Sequence, residues 1–364
     1  MTKQRLLHIQ VLPLLSGVQN VMLNILENLP EDQYDIYVIS QSGGPLIDKL
    51  AELYVTHIPM DSLKRDVSIQ DFKAFIGIYR ICRKYKFDIV HTHSSKPGFL
   101  GRIAARLAGV KKIIHTSHGY PFNVFQPLYK QFFYRICEAL AGLFCDYMVF
   151  VNNADREMAV TSNLISKQKA LTIYNGIDVP ETFERQTKDE EFIIGSSFRF
   201  WEQKNPIQTI KVAIAVCKRV EQIKFIFLGD GELLEKCKKH VQNAGLEDRI
   251  TFPGWQKDVI PWLKQFDVFL LYSKWEGLPI SILEAMSIGL PIVASDINGN
   301  NELVSEQNGF LFKLNEVDKL IETLISLPER KEELIVWGNQ SQLIVENKFS
   351  MKKFVSSYKS IYDL

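Results

Sequence analysis

From residue 6 to the end, the chain repeats one alternation. A run of four to seven apolar residues, many of them β-branched or aromatic, is followed by a longer stretch whose apolar positions recur every three or four residues. Runs of the first kind suit strands covered on both faces, and stretches of the second suit crossover helices, the pattern of parallel α/β sheets. In the first half strands are predicted at residues 6–12, 34–40, 55–58, 87–92, 112–116, 147–151 and 170–174. A polar, charged stretch at 181–191 breaks the alternation and reads as a linker. Strands resume at 192–198, 223–228, 249–252, 268–271, 291–294 and 309–312. The fold class expected is α/β, with two Rossmann-like, doubly wound parallel-sheet domains. Open sheets of this kind take ligands beyond the carboxyl ends of their strands, so two of them facing each other place the chemistry in the strand-to-helix loops of a cleft.

A length of 364 residues suits two such domains. With 46% hydrophobic and 23% charged residues, the chain is globular in composition, and disordered, collagen-like and disulfide-scaffold classes are excluded. The net charge of +1 gives no reason to expect a nucleic-acid partner. It conceals an asymmetry: residues 1–180 carry 20 basic and 15 acidic side chains, net +5, against 23 and 27, net −4, for the remainder. Five cysteines without a Cys-x-x-Cys pair point to a reducing compartment and away from structural zinc. No signal-peptide pattern and no transmembrane run is visible, so a cytoplasmic chain is expected.

The densest chemistry lies in Ser273-Lys-Trp-Glu276-Gly277-Leu278-Pro279, followed by a helical stretch through Glu284 to Gly289 and Pro291. It reads as strand, loop, helix, strand. Pro279 suits the first helical turn and Gly289 a left-handed stop. The amides of Gly277 and Leu278, backed by the helix dipole, form an anion site suited to phosphate. Spacing alone also allows an ordinary crossover helix with two solvated glutamates. The full block, Glu276-x7-Glu284 with Gly277-Leu278-Pro279 after the first glutamate and Ala-Met-Ser-x-Gly289-x-Pro291 after the second, resembles the signature of the retaining glycosyltransferases of family 4. That resemblance implies the two-Rossmann GT-B fold, with residues 1–180 as the acceptor-side domain and 181–348 as the nucleotide-sugar-binding domain. Residues 349–364 are then a terminal helix returning toward the first domain. It also implies that Glu284 holds the donor ribose, while Glu276, Gly277 and Leu278 lie against the donor sugar and diphosphate.

Other residues fall where that family would have them. Arg199 and Lys204, just past the strand at 192–198, match its Arg and Lys pair, and an arginine fork with a lysine point charge meets what a departing diphosphate requires. On their own, two basic residues after a strand are usually a solvated loop. Gly229 in Gly229-Asp-Gly231 resembles the turn beneath the nucleotide, and Tyr174-Asn-Gly-Ile-Asp178 the end of the first domain. Gly17, in the first strand-to-helix loop, lets backbone approach a phosphate or sugar, although this chain has Ser16-Gly17 where most of the family has two glycines. Four of the seven histidines, His91, His93, His115 and His118, are expected to follow strands and hydrogen-bond at the cleft, with His118 matching the family histidine that reaches the reacting sugar.

No two aspartates are separated by a single residue, so the Asp-x-Asp of metal-dependent transferases is absent. The expectation is a metal-independent hexosyltransferase without a cofactor, in which Arg199, Lys204 and helix amides meet the diphosphate charge. The resemblance, closest to bacterial O-antigen and capsule enzymes, implies a nucleotide-diphosphate sugar donor, UDP-linked, and a glycan or undecaprenyl-diphosphate-linked acceptor in lipopolysaccharide or capsular polysaccharide synthesis. A nucleotide-sugar 2-epimerase of similar architecture and a non-catalytic nucleotide-sugar-binding protein are the alternatives. The sugar is expected to be chosen by loops at 200–203 and 298–302. Aromatic residues and two cations crowd residues 120–135, which suggests peripheral contact with an anionic membrane at the inner face of the plasma membrane; a buried helix with aromatic core contacts is the competing reading.

Overall fold

The computed structural model of the chain describes residues 3–64, 66–119, 126–180 and 191–364. Residues 181–190 of the linker and 120–125 of the aromatic stretch lie outside the described residues. The chain divides into two units, Met1–Gly176 with Met351–Leu364, and Ile177–Ser350.

The first unit holds β1 (Gln4–Ile9), β2 (Tyr34–Ser40), β3 (Thr56–Pro59), β4 (Ile89–His93), β5 (Lys112–Ser117), β6 (Tyr147–Phe150) and β7 (Ala170–Thr172). They form one parallel sheet in the order β3-β2-β1-β4-β5-β6-β7. The second unit holds β8 (Phe192–Ser197), β9 (Ile223–Leu228), β10 (Ile250–Gly254), β11 (Val268–Leu271), β12 (Ile292–Ser295) and β13 (Gly309–Phe312), parallel in the order β10-β9-β8-β11-β12-β13. Every predicted strand is present, with ends displaced by up to three residues. A helix on each face leaves the strands no wet side, which is why they read as continuous apolar runs: Leu7, Ile9, Val90 and Ile113 are fully buried in one sheet, and Ile194, Phe225, Phe269 and Val293 in the other.

The strand order decides where chemistry can sit. Winding reverses between β1 and β4 in the first sheet and between β8 and β11 in the second. At such a reversal the two following loops turn to opposite faces and leave a crevice beyond the strand ends. Gly17 is the first residue of the helix that follows the connection leaving β1, rather than a loop residue; Arg199 and Lys204 lie in the connection leaving β8, and Glu276 and Gly277 in the one leaving β11.

The last helix, Met351–Asp363, belongs to the first unit. Phe354, Tyr358, Ile361 and Tyr362 form its buried stripe at helical spacing. Tyr34 Oη donates to Asp363 at 2.9 Å and Lys112 Nζ to the Tyr362 carbonyl at 2.7 Å, fixing the helix from both sides.

Candidate active site

In the second unit, the connections leaving β8 and β11 are tied together. Lys204 Nζ lies 2.5 Å from Glu276 Oε1, Gln203 Nε2 donates to the Trp275 carbonyl at 2.9 Å, and the Lys274 amide donates to the Gln203 carbonyl at 2.8 Å. The Glu276 side chain is only 5% exposed and that of Lys204 17%, so this ion pair is poorly screened by water. The Arg199 guanidinium stacks over Trp201, 4.8 Å from the ring centroid, which holds its planar fork at the mouth of the same connection. Gly299, with φ of +88°, brings the loop after β12 onto this one: a Cβ there would stand 2.1 Å from the Gly277 carbonyl oxygen. Two buried polar atoms beside these loops, Ser273 Oγ and Asn300 Oδ1, have no hydrogen-bond partner among the described residues.

Gly229 has a packing task of its own. Its φ is +127°, and a Cβ would lie 1.9 Å from the Phe198 carbonyl oxygen, so the turn after β9 crosses the backbone leaving β8 at van der Waals distance. Pro279 is not in the first helical turn. The helix runs Ile280–Ser287, and Pro279, at ψ of 115°, is its extended N-cap residue. Without an N–H, Pro279 donates nothing, and the amides of Gly277 and Leu278 precede the helix proper. Gly289 takes the left-handed φ of +71° expected of a helix stop. Glu284 lies within the helix, half-buried, and loss of solvation, reinforced by the Asp258 carboxylate, pushes its pKa up to about 7.

In the first unit Gly17 is exposed and opens the helix Gly17–Asn28. Ser16 makes no side-chain cap; its hydroxyl goes to the Gln19 side chain, so the first-turn amides, which have no intrahelical acceptor, gain none from Ser16. The histidines differ from expectation. His91 and His93 lie inside β4 and His115 inside β5, all buried, and only half-buried His118 follows its strand. They serve the interior because their strands are central: His91 Nε2 bonds Thr116 Oγ1 at 2.8 Å, His91 Nδ1 bonds Tyr362 Oη at 2.6 Å, and His115 Nδ1 bonds Thr92 Oγ1 at 2.9 Å. His8 on β1, the register partner of His91, joins them, with Nδ1 2.9 Å from His93 Nε2. His93 Nδ1 is in turn 3.2 Å from His118 Nε2. Burial holds His8 down at about 3, His118 at about 4, and His91, His93 and His115 well below the usual imidazole range, so all are neutral at pH 7. Ligand atoms of His8, His91 and His93 fall within 4.8 Å of one another, close enough for a metal ion, but every ring nitrogen of the three is engaged in a hydrogen bond.

The family model for "Glycosyltransferase Family 4" matches residues 15–181 and that for "Glycosyl transferases group 1" matches residues 178–343. The chain is 38% identical, over 99% of its own length and 97% of the relative's, to an Escherichia coli protein named UDP-Gal:alpha-D-GlcNAc-diphosphoundecaprenol alpha-1,3-galactosyltransferase. The chain belongs to the glycosyltransferases of family 4. It is also 26% identical to an Escherichia coli O-antigen biosynthesis glycosyltransferase, WbnH, over 95% of each chain. The crystal structure of Anabaena HepE in complex with UDP and glucose superposes with a TM-score of 0.84 at 18% identity, covering 99% of each chain, which establishes the shared GT-B fold.

Within this glycosyltransferase, sequence reading missed His8, Tyr358 and Tyr362, which complete the histidine cluster from β1 and the terminal helix. The one signal for His8 is a histidine set directly among apolar neighbours, Leu6-Leu7-His8-Ile9. The direct pairing of Lys204 with Glu276 was also unread, since 72 residues separate them. Of the 2-epimerase and non-catalytic alternatives, neither fits membership of this family.

Proposed function

We propose that the chain is a retaining hexosyltransferase that moves a sugar from a UDP-linked donor to an undecaprenyl-diphosphate-linked glycan in surface-polysaccharide synthesis, without a metal ion. The observation that carries this reading is the 38% identity, over almost the whole of both chains, to a relative whose name gives a UDP-sugar donor, a diphosphoundecaprenol acceptor and an α-1,3 product. In this mechanism the bond from the anomeric carbon to the diphosphate oxygen breaks with its electron pair on the diphosphate. The acceptor oxygen bonds to the same face of the sugar, and the acceptor proton passes to the departing phosphate oxygen. Arg199 and Lys204 bind and neutralise the diphosphate, and the amides of Gly277 and Leu278 donate hydrogen bonds to it; Glu276 holds Lys204 in place and faces the sugar. Glu284 accepts from the ribose hydroxyls, Gly17 and Gly229 let backbone approach the donor, and His118 contacts the sugar. The Lys204–Glu276 pair supports these roles because a cation and a carboxylate meet there in one loop cluster at the strand-order reversal.

The helix Leu128–Gly142 supports contact with an anionic bilayer, and its exposure speaks against a buried aromatic helix. Leu128 is 82% and Phe132 67% exposed, with Tyr129, Phe133, Ile136 and Leu140 exposed beside them. Its single carboxylate, Glu138, is sealed against Arg102, while Lys130 and Arg135 face water. No helix among the described residues is long and apolar enough to cross a membrane.

The test is transfer from a panel of UDP-, GDP- and dTDP-sugars to a GlcNAc-diphosphate-lipid in EDTA, with the product anomer read by NMR. An α-linked product from a UDP-sugar is expected; an inverted anomer, or activity lost in EDTA and restored by manganese, contradicts the reading. For the membrane, Phe132→Glu with Ile136→Glu should abolish sedimentation with anionic vesicles at low salt, and equal sedimentation of variant and wild type removes the helix from that role.

A further inference from the structure

We infer that a buried hydrogen-bonded chain running from Tyr358 to His118 holds the His118 imidazole in the neutral tautomer with its proton on Nδ1, so that an N–H faces the ligand, and that His93, His8 and Tyr362 are positioning residues for it. The ligand contact rests on the function proposed above; the tautomer does not.

The links are Tyr358 Oη to Thr116 Oγ1 at 3.0 Å, Thr116 Oγ1 to His91 Nε2 at 2.8 Å, and His91 Nδ1 to Tyr362 Oη at 2.6 Å. They continue through Tyr362 Oη to His8 Nε2 at 3.5 Å, His8 Nδ1 to His93 Nε2 at 2.9 Å, and His93 Nδ1 to His118 Nε2 at 3.2 Å. All lie within the first unit. A neutral imidazole donates from one nitrogen and accepts at the other, so once one end of such a chain is fixed every proton along it is fixed.

The Tyr358 end is fixed. Its hydroxyl is fully buried, and Thr116 Oγ1 is the one partner it has among the described residues. A buried hydroxyl proton left without an acceptor is costly, so Tyr358 donates to Thr116. The Thr116 proton then goes to His91 Nε2, which puts the His91 proton on Nδ1, donating to Tyr362. The Tyr362 proton has one acceptor left, His8 Nε2. His8 therefore donates from Nδ1 to His93, and His93 donates from Nδ1 to His118 Nε2. With Nε2 accepting, His118 carries its own proton on Nδ1, a nitrogen with no partner among the described residues. The opposite sense strands the Tyr358 proton. No carboxylate or cation enters the chain, so nothing stabilises an imidazolium within it, and the device orients a dipole rather than moving charge. It also gives the terminal helix a task in the site from far along the sequence, Thr116 and Tyr358 being 242 residues apart.

The experiment is nitrogen-15 NMR of histidine-labelled full-length protein at pH 7, with His118 assigned by its disappearance in His118→Gln. Wild type should show a neutral His118 protonated on Nδ1. Tyr362→Phe cuts the chain between His91 and His8 and should give mixed tautomers, with kcat/KM lower by roughly two- to tenfold as the competent fraction falls. Tyr358→Phe, which removes the donor that sets the sense, should give the same mixture and substitutes for Tyr362→Phe should that variant lose its fold. Tyr34→Phe removes a hydroxyl from the same helix contact without touching the chain, and should leave both the tautomer and the rate unchanged. An Nε2 proton or an imidazolium on wild-type His118, a tautomer unmoved in both variants, or a stoichiometric metal on His8, His91 and His93 overturns the inference. If the tautomer is as stated and His118→Gln transfers at the wild-type rate, the chain stands and the sugar contact proposed for His118 falls.

Discussion

The loops of the second unit and the polar interior of the first handle the same problem, polar groups out of water, in opposite ways. Around β8 and β11 the groups are charged: Arg199 on Trp201 and Lys204 against Glu276. Around β1, β4 and β5 they are neutral: His8, His91, His93 and His118, joined by hydroxyls and held far below the pH at which they would gain a proton. The first unit does bury a charge, but closes it off, with Arg102 and Glu138 paired at 2.8 Å and exposed by only 0% and 5%. Under the proposed function the two arrangements suit different tasks. Fixed cations can take up net charge that develops on a departing diphosphate, whereas the histidine chain has no net charge to offer and orients the dipole at its end.

This contrast can be broken at several points. The largest effect should come from the sealed pair: Glu138→Ala strands a buried guanidinium and should lower unfolding free energy by about 3–5 kcal/mol in urea titration. A loss under 1 kcal/mol would mean the pair is wet. Next is Glu284, whose folded pKa of about 7 lies above its ordinary 4.5. The folded state then holds this proton more tightly than the unfolded chain, so the contribution is present below pH 4.5 and is lost as pH rises through 7. Glu284→Gln, which never ionises, should be more stable than wild type above pH 7 by up to about 3 kcal/mol, with the advantage gone by pH 4.5. A pH-independent difference would contradict the shift. The smallest effect is on binding: in the proposed role of Glu284 the ribose hydroxyls donate to its carboxylate, so affinity for UDP should rise about tenfold from pH 6 to pH 8 in wild type and stay flat in Glu284→Gln. Equal slopes by calorimetry would remove Glu284 from the nucleotide site.

The same contrast explains what could be read in advance. Strand positions were legible because burial on both faces leaves an apolar run with little ambiguity, as at Ile223–Leu228 and Val268–Leu271, which fall where predicted. The charged loop was legible because Glu276, Gly277, Leu278 and Glu284 sit in one contiguous stretch. Its pairing with Lys204 was not, since it depends on β8 and β11 being neighbours, a fact of strand order rather than spacing. The histidine chain was least legible. Its members come from β1, β4, β5 and the terminal helix, and no local pattern links His8 to Tyr362, 354 residues away. The N-cap position of Pro279 eluded reading for a smaller reason, since proline's fixed φ suits a cap and a first turn alike.

The central claim, that fixed cations in the loop leaving β8 take up the charge of the departing diphosphate, is tested most directly by single-turnover transfer from a bound UDP-sugar in Arg199→Ala and Lys204→Ala. The account predicts rates lower by about 10²- to 10³-fold, roughly 2.7–4 kcal/mol each, with donor affinity changed far less. Rates within a factor of about three of wild type, at saturating donor, would contradict it.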